Sequence, residues 1–304
     1  MKIFVTGVNG QLGHDVVNEL CIRGHECTGS DVTPAYTGIS DGSAVTKAAY
    51  IGLDITDARR VAEALRAIMP DAVIHCAAWT AVDAAEEPEN RDEVFAVNRD
   101  GTRNIADACK TLGCKLMYIS TDYVFGGQGT EPWRPDCRDY APLNVYGRSK
   151  LDGELAVSGT LETCFIVRIA WVFGLNGKNF VRTMLNVGRT HDEVRVINDQ
   201  IGTPTYTLDL ARLLADMIET EKYGYYHATN EGGYISWYDF TKEIYRQAGL
   251  STKVTPVTTA EYGISKAARP FNSRLDKGKL VENGFMPLPD WRDALGRYLK
   301  ELSL

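Results

Sequence analysis

The sequence predicts an α/β protein built on a doubly wound parallel sheet, Rossmann-like, with a smaller C-terminal substrate lobe. An apolar run, Lys2 to Thr6, leads through a glycine-bearing turn into a segment whose apolar residues recur at helical spacing. Strand and helix patterns then alternate to about residue 170, and strands separated by helices pair in parallel through right-handed crossovers. At 304 residues the chain can hold a large sheet domain and a second lobe.

In order, KIFVT is the first strand, GVNGQLG the turn, and HDVVNELCIRG the first helix, stopped by Gly24. ECTGS is the second strand and ends at Asp31. The segment from Val32 to Ala49 is rich in Gly, Ser, Thr and Ala without a clear period, and reads as a mobile surface loop. A helix over Asp57 to Met69, the strand DAVIHCAA, a helix around Val97 to Leu112, the strand KLMYIS, a helix around Asn144 to Val157 and the strand TCFIVRIA complete the alternation. Beyond Ala170 the rhythm is irregular: helices near Asn179 to Val187 and Thr207 to Thr220, the strand GYYHAT, then helices at Trp237 to Ala248 and Asp290 to Leu302. We expect a dinucleotide-binding domain over 1–172, with 205–230 returning to it, and a substrate-binding lobe over 173–204 and 231–304.

A hydrophobic content of 44% with 24% charged residues suits a folded globular protein. The formal charge of −7 gives no general basic surface, which argues against nucleic-acid or anionic-membrane partners while leaving room for a local anion site. The seven cysteines form no CxxC pair, and several lie in apolar runs, as core residues do in a reducing compartment. Met1-Lys2 leads directly into IFVTG with no signal-peptide pattern, and no apolar run reaches the ~18 residues of a membrane span. A cytoplasmic protein is expected.

Gly7, Gly10 and Gly13 form GxxGxxG at the first strand-to-helix junction, where backbone N–H groups can meet a pyrophosphate at the helix N-terminus. Asn9, Gln11 and Leu12 belong to the same turn. Asp31, at the end of the second strand, can accept hydrogen bonds from an adenosine ribose and would repel a 2′-phosphate, so NADH is favoured over NADPH. Asp54 and Ile55, with the small Ala77 and Ala78 after DAVIH, are placed to line the adenine and ribose pocket.

A carbonyl reductase delivers hydride from nicotinamide and a proton to the developing alkoxide, and a tyrosine can donate that proton if a nearby cation lowers its pKa. Tyr146 and Lys150 are four apart in NVYGRSK, on one helix face. The spacing recurs at Tyr238/Lys242 and Tyr262/Lys266, so position decides. Only Tyr146 follows a sheet strand, KLMYIS, whose C-terminal end faces the ligand crevice. Thr121 at that end can hold the substrate oxygen near Tyr146. Lys150 can also bind the nicotinamide ribose.

Together these motifs resemble the extended short-chain dehydrogenase/reductases. AAWTAVDAAE (Ala77 to Glu86), STDYVFGG (Ser120 to Gly127), PLNVYGRSKLDGE (Pro142 to Glu154), VINDQIGTPT (Val196 to Thr205) and RPFNSRLD (Arg269 to Asp276) are similar to the dTDP-4-dehydrorhamnose reductase blocks, in the same order. The resemblance covers nearly the whole chain. It implies that Thr121, Tyr146 and Lys150 are the catalytic set and that Tyr146 and Lys150 also touch the cofactor. It places Thr80, Val82, Asp122, Trp171, Gln200, Arg269 and Asn272 around the nucleotide sugar, with Arg269 and Asn272 in the diphosphate pocket. A guanidinium suits that role because its fork matches phosphate oxygens. Related dehydratases carry Asp-Glu after the catalytic Thr, whereas Thr121 here precedes Asp122-Tyr123, which argues for simple reduction. Some family members hold magnesium on carboxylates near a dimer interface. Here only Asp15 matches, with Thr190 and Arg292 at the other two positions, so no metal is expected and either a monomer or a homodimer is compatible. Two alternatives stay open: a nucleotide-sugar epimerase retaining tightly bound NAD, and a non-enzymatic regulatory subunit resembling the methionine adenosyltransferase partner.

Overall fold

The apolar runs of the first 170 residues become strands because each has helices to cover both of its faces. The computed structural model describes residues 1–302. Strands β1 (Lys2–Thr6), β2 (Glu26–Asp31), β3 (Ala49–Gly52), β4 (Ala72–His75), β5 (Lys115–Thr121), β6 (Cys164–Ile169) and β7 (Gly224–His227) form one sheet in the order β7-β6-β5-β4-β1-β2-β3. Every pairing is parallel; Ile3 lies opposite Cys27 on one side and Ala72 on the other. The order reverses between β1 and β4, which opens a crevice at their C-terminal ends.

Side chains along a strand alternate between faces. Ile3, Val5, Ile74, Met117 and Phe165 join a core with α1 (Gln11–Ile22) on one face. Phe4, Val73, Leu116 and Ile166 join one with α2 (Ala58–Ile68), α3 (Thr102–Leu112) and α4 (Val145–Thr160) on the other. Asp57 caps α2 by accepting from the Arg60 N–H at 3.0 Å, and Gly113 ends α3 at φ 70°. The helix expected from Val97 begins earlier, at Arg91–Phe95, and passes through a π-turn over Ala96–Gly101 before α3. Apolar periodicity does not register the extra residue of such a turn, which is common at functional sites.

The longer helices that follow are α5 (Phe180–Thr190), α6 (Thr207–Ile218), α7 (Trp237–Ala248) and α8 (Trp291–Glu301). α6 packs beside α1 on the sheet, while α5, α7 and α8 share a separate core with Phe173 and Tyr206. A reciprocal cap between Ser236 and Asp239 starts α7, which coincides with its sequence-based span.

The segment after Asp31 departs from the mobile loop expected of it. Tyr36 hydroxyl lies 2.6 Å from His14 Nδ1, the Thr37 N–H reaches Asn9 Oδ1 at 2.9 Å, Ile39 N–H reaches Asn176 Oδ1 at 3.1 Å, and Val45 N–H reaches Asn18 Oδ1 at 2.8 Å. The loop is thus anchored by side chains from other segments, and Ala49 already belongs to β3.

Candidate active site

The turn after β1 is shaped by steric necessity. Gly7 has φ 73°, and a Cβ there would stand 2.6 Å from the Ala77 nitrogen. At Gly13 a Cβ would meet the Gly7 oxygen at 2.3 Å, so α1 and β1 approach only because both positions lack one. Gly10 precedes α1 with no side-chain cap, leaving the helix N–H groups available to an anion.

From this turn a cleft of about 1120 Å³ runs along the sheet ends. Gly7, Asn9, Gly10, Gln11, Leu12, Asp31, Asp54, Ile55, Ala77 and Ala78, the residues expected to hold the cofactor, all line it. Asp31 accepts from the backbone N–H of Asn9 at 3.0 Å and of Val32 at 2.8 Å. Two buried hydroxyls on the wall, Ser30 Oγ and Ser120 Oγ, have no partner among the described residues. Buried polar groups are normally satisfied, so these mark where a polar ligand fits.

Thr121, Tyr146 and Lys150 converge on the same cleft. Thr121 ends β5, donates to Asp122 Oδ1 at 3.0 Å and accepts from the Tyr123 N–H at 3.2 Å. Tyr146 and Lys150 lie one turn apart on α4, which is pinned at its start: Asn144 accepts from Gly147 N–H at 2.7 Å and Glu86 accepts from Val145 N–H at 2.7 Å. Gly147 and Gly153 let the helix close on the sheet, since a Cβ at Gly153 would lie 2.4 Å from the Tyr118 hydroxyl. Lys150 Nζ donates to the Ile119 carbonyl at 2.8 Å and stands 4.1 Å from the Tyr118 ring centre. Burial lowers its pKa to about 7, against the opposing pull of the Glu154 charge.

Tyr146 corrects one expectation. Its hydroxyl is held above the ordinary tyrosine range, because burial penalises the phenolate more than the Thr121 hydroxyl favours it. Asp122 is likewise raised, to about 6, by burial, against hydrogen bonds with Ser273 and Thr121. The other two Tyr/Lys pairs lie off the cleft: Lys242 stacks on Tyr238, and Lys266 pairs with Glu87.

Beneath the cleft a buried hydrogen-bonded chain joins the turn to α4. Ala77 N–H meets Thr6 Oγ1 at 3.2 Å, Thr6 Oγ1 meets His75 Nδ1 at 2.7 Å, and His75 Nε2 meets Thr102 Oγ1 at 3.1 Å. Thr102 donates to the Asn98 carbonyl at 2.8 Å, Asn98 Nδ2 donates to Ser149 Oγ at 2.9 Å, and Ser149 donates to the Tyr146 carbonyl at 2.8 Å. The π-turn carries Asn98 into this position.

Of the expected substrate residues, Thr80, Val82, Asp122 and Trp171 line the cleft. Trp171 has φ 52° and stacks on Trp237 with ring centres 3.6 Å apart. Gln200, Arg269 and Asn272 do not line it. Gln200 is buried and donates to Thr259 at 3.1 Å. Asn272 donates to the carbonyls of Gln128 at 3.3 Å and Glu131 at 2.8 Å and accepts from Arg274, so its amide is spent on bracing a loop. Arg269 forks onto Asp83 at 3.1 and 2.7 Å and donates to the Ala267 carbonyl at 3.3 Å, so its guanidinium is held by protein groups away from the cleft lining. Trp237, Phe180, Tyr123 and Lys178 line the cleft without having been expected there. Of the positions compared with a metal site, Asp15 is buried against Thr207, Thr190 is exposed and Arg292 pairs with Asp290.

The profile of the RmlD substrate binding domain family matches residues 1–304. The spore coat polysaccharide biosynthesis protein SpsK of Bacillus subtilis is 38% identical over 302 residues, 99% of this chain and 98% of that one. The dTDP-4-dehydrorhamnose reductase of Streptomyces griseus is 40% identical, with 96% of this chain and 90% of that one covered. Among solved structures, a dTDP-4-dehydrorhamnose reductase of Clostridium acetobutylicum superposes with a TM-score of 0.90 at 39% identity, covering 100% of both chains. That of Bacillus anthracis, in complex with NADP, superposes at 0.88 with 39% identity, covering 99% of this chain and 100% of that one. With the dinucleotide-type turn and the Thr121, Tyr146 and Lys150 cluster sharing one cleft, the full-length match settles the kinship: this chain belongs to the RmlD substrate binding domain family, alongside the dTDP-4-dehydrorhamnose reductases.

Proposed function

We propose that this protein reduces the 4-keto group of dTDP-4-dehydrorhamnose with NADH or NADPH, forming dTDP-L-rhamnose for cell-surface polysaccharide. The observation that carries the reading is the convergence of Thr121, Tyr146 and Lys150 on the cleft that begins at the glycine turn. The turn and the N-terminus of α1 would hold the cofactor pyrophosphate, Asp31 the adenosine ribose, and Lys150 the nicotinamide ribose. The orphaned Ser30 and Ser120 hydroxyls fit a ligand of that polarity.

When bound, the reduced nicotinamide supplies the hydride that adds to the keto carbon. Thr121 holds the keto oxygen beside Tyr146, whose hydroxyl proton passes to that oxygen as the O–H bond of the product forms. A raised tyrosine pKa keeps Tyr146 protonated until then. The Lys150 ammonium then neighbours the phenolate, and a solvent proton restores the hydroxyl. The stacked Trp171 and Trp237 wall would cover the sugar. Among the described residues, the segments carrying Asp31 and Asp54 place no cation on the cleft lining, which supports NADH as the preferred donor.

Residues 1–172 and 205–230 form the proposed cofactor part, and 173–204 with 231 to the C-terminus the substrate lobe. Among the described residues no helix is long and apolar enough to cross a membrane, and all seven cysteines are free thiols, which suits a cytoplasmic enzyme, monomeric or homodimeric. Loss of reduced-nicotinamide absorbance on adding dTDP-4-dehydrorhamnose tests the reading. No turnover with either cofactor would refute it.

A further inference from the structure

The cleft wall has a charge imbalance. Among the described residues its acidic side chains are Asp31, Asp54, Glu93 and Asp122, and its only cations are Lys150 and Lys178. Lys150 is committed to the Ile119 carbonyl beneath the reaction centre, and burial weakens its charge. A dinucleotide brings a diphosphate into these surroundings, and a helix N-terminus contributes only about half a positive charge. Lys178 has no carboxylate partner among the described residues.

Its backbone is fixed from both sides against the phosphate turn. Asn176 is buried and donates to the carbonyls of Asn9 at 3.0 Å and Gly10 at 3.2 Å. Asn179 donates to Gln11 Oε1 at 3.0 Å and to the Tyr298 hydroxyl at 2.9 Å, and its own side chain caps α5. The residue between these anchors therefore lies over the N-terminus of α1.

We propose that Lys178 is the counter-ion of the diphosphate bound at this turn, so that the loop leading into the substrate lobe closes the cofactor site electrostatically. This rests on the dinucleotide reading above. The shared chemistry is a diphosphate, and the cofactor is the source favoured by the contacts of Asn176 and Asn179 with the turn.

Equilibrium binding to the full-length protein, by calorimetry, tests it with four probes: NADH, ADP-ribose, adenosine and dTDP. Lys178→Ala should weaken NADH and ADP-ribose about 10-fold, the scale of one charged hydrogen bond, and leave adenosine and dTDP unchanged. Lys178→Glu should weaken the two diphosphate probes further, Lys178→Arg should restore them to within about threefold, and added salt should matter less to Lys178→Ala than to the parent. Unchanged NADH affinity, equal weakening of adenosine, or weakening confined to dTDP would each overturn the proposal. If the parent protein itself binds neither NADH nor ADP-ribose, the functional reading fails instead. Circular dichroism of each variant separates misfolding from lost charge.

Discussion

Replacing Glu154 by Gln probes the buried charge pair that ties α4 to β6. Arg168 Nε and Nη2 grip the Glu154 carboxylate at 2.8 and 2.7 Å, and both side chains are fully buried. Gln keeps one acceptor but turns an N–H₂ toward Nη2, leaving a guanidinium without an anion inside the sheet. Removing one partner of a buried pair costs ~3–5 kcal/mol. We expect the lower end, about 3 kcal/mol, because the Pro135 carbonyl at 3.1 Å and the Tyr140 hydroxyl at 3.0 Å still receive Arg168. The substitution also removes the charge that favours the Lys150 ammonium, so the Lys150 pKa should fall below about 7 and its limb of the pH–rate profile should move to lower pH. Urea unfolding followed by circular dichroism gives the first quantity and kcat against pH the second. The double change Glu154→Leu with Arg168→Met should recover much of the stability and none of the pH profile. A loss under about 1 kcal/mol with an unmoved profile in Glu154→Gln would refute the reasoning.

Tyr146→Phe should lower kcat by about 10²-fold or more and leave the NADH dissociation constant unchanged, as loss of a general acid does; near-normal turnover in a folded variant would remove Tyr146 from the mechanism. Asp31→Ala should improve the use of NADPH relative to NADH, read as the ratio of kcat/KM values, and an unchanged ratio would show that the carboxylate does not discriminate. Arg269→Ala should raise KM for the nucleotide sugar by an equivalent of about 1.5–3 kcal/mol with a smaller effect on kcat, and Arg269→Lys should restore part of it; an unchanged KM would leave Arg269 as the partner of Asp83 alone. The buried Asp15 has its pKa raised to about 7 by burial. Between the unfolded value of about 4 and 7 the native carboxyl binds a proton that the unfolded chain does not, so its share of stability falls as pH rises through that window. Asp15→Asn should therefore stabilise at pH ~8 by about 2–4 kcal/mol relative to its effect at pH ~5, and equal urea midpoint shifts at both would contradict the buried titration.

What could be read from the sequence was whatever depends on neighbours along the chain. The glycine turn and the Tyr146/Lys150 pair are short-range patterns, and their place at strand ends followed from the alternation of elements. Residues 32–49 looked mobile because the anchors of that segment, Asn9, His14, Asn18 and Asn176, belong to other segments and leave no local period. Trp237 is the first residue of α7, and only tertiary packing brings it against Trp171. Spacing shows that Lys150 lies a turn from Tyr146 but says nothing of burial, which dominates the tyrosine pKa and raises it. Arg269 was placed by its sequence block, and the Asp83 fork away from the cleft lining could not be foreseen from that.

The buried chain below the cleft has a direction. Thr102 gives its only hydroxyl hydrogen to the Asn98 carbonyl, so it must accept from His75 Nε2–H; His75 Nδ1 is then bare and accepts from Thr6, which in turn accepts from Ala77. Burial holds His75 near a pKa of about 3, so the ring takes no second proton at neutral pH. Every hydrogen is thus assigned, and the sequence ends at a carbonyl with nothing to pass on. Such a chain is an insulator for protons while remaining a stiff mechanical tie. On the mechanism proposed for Tyr146, the proton that reloads it would arrive from the open side of the cleft, with water entering past Trp171 and Trp237, rather than through this chain.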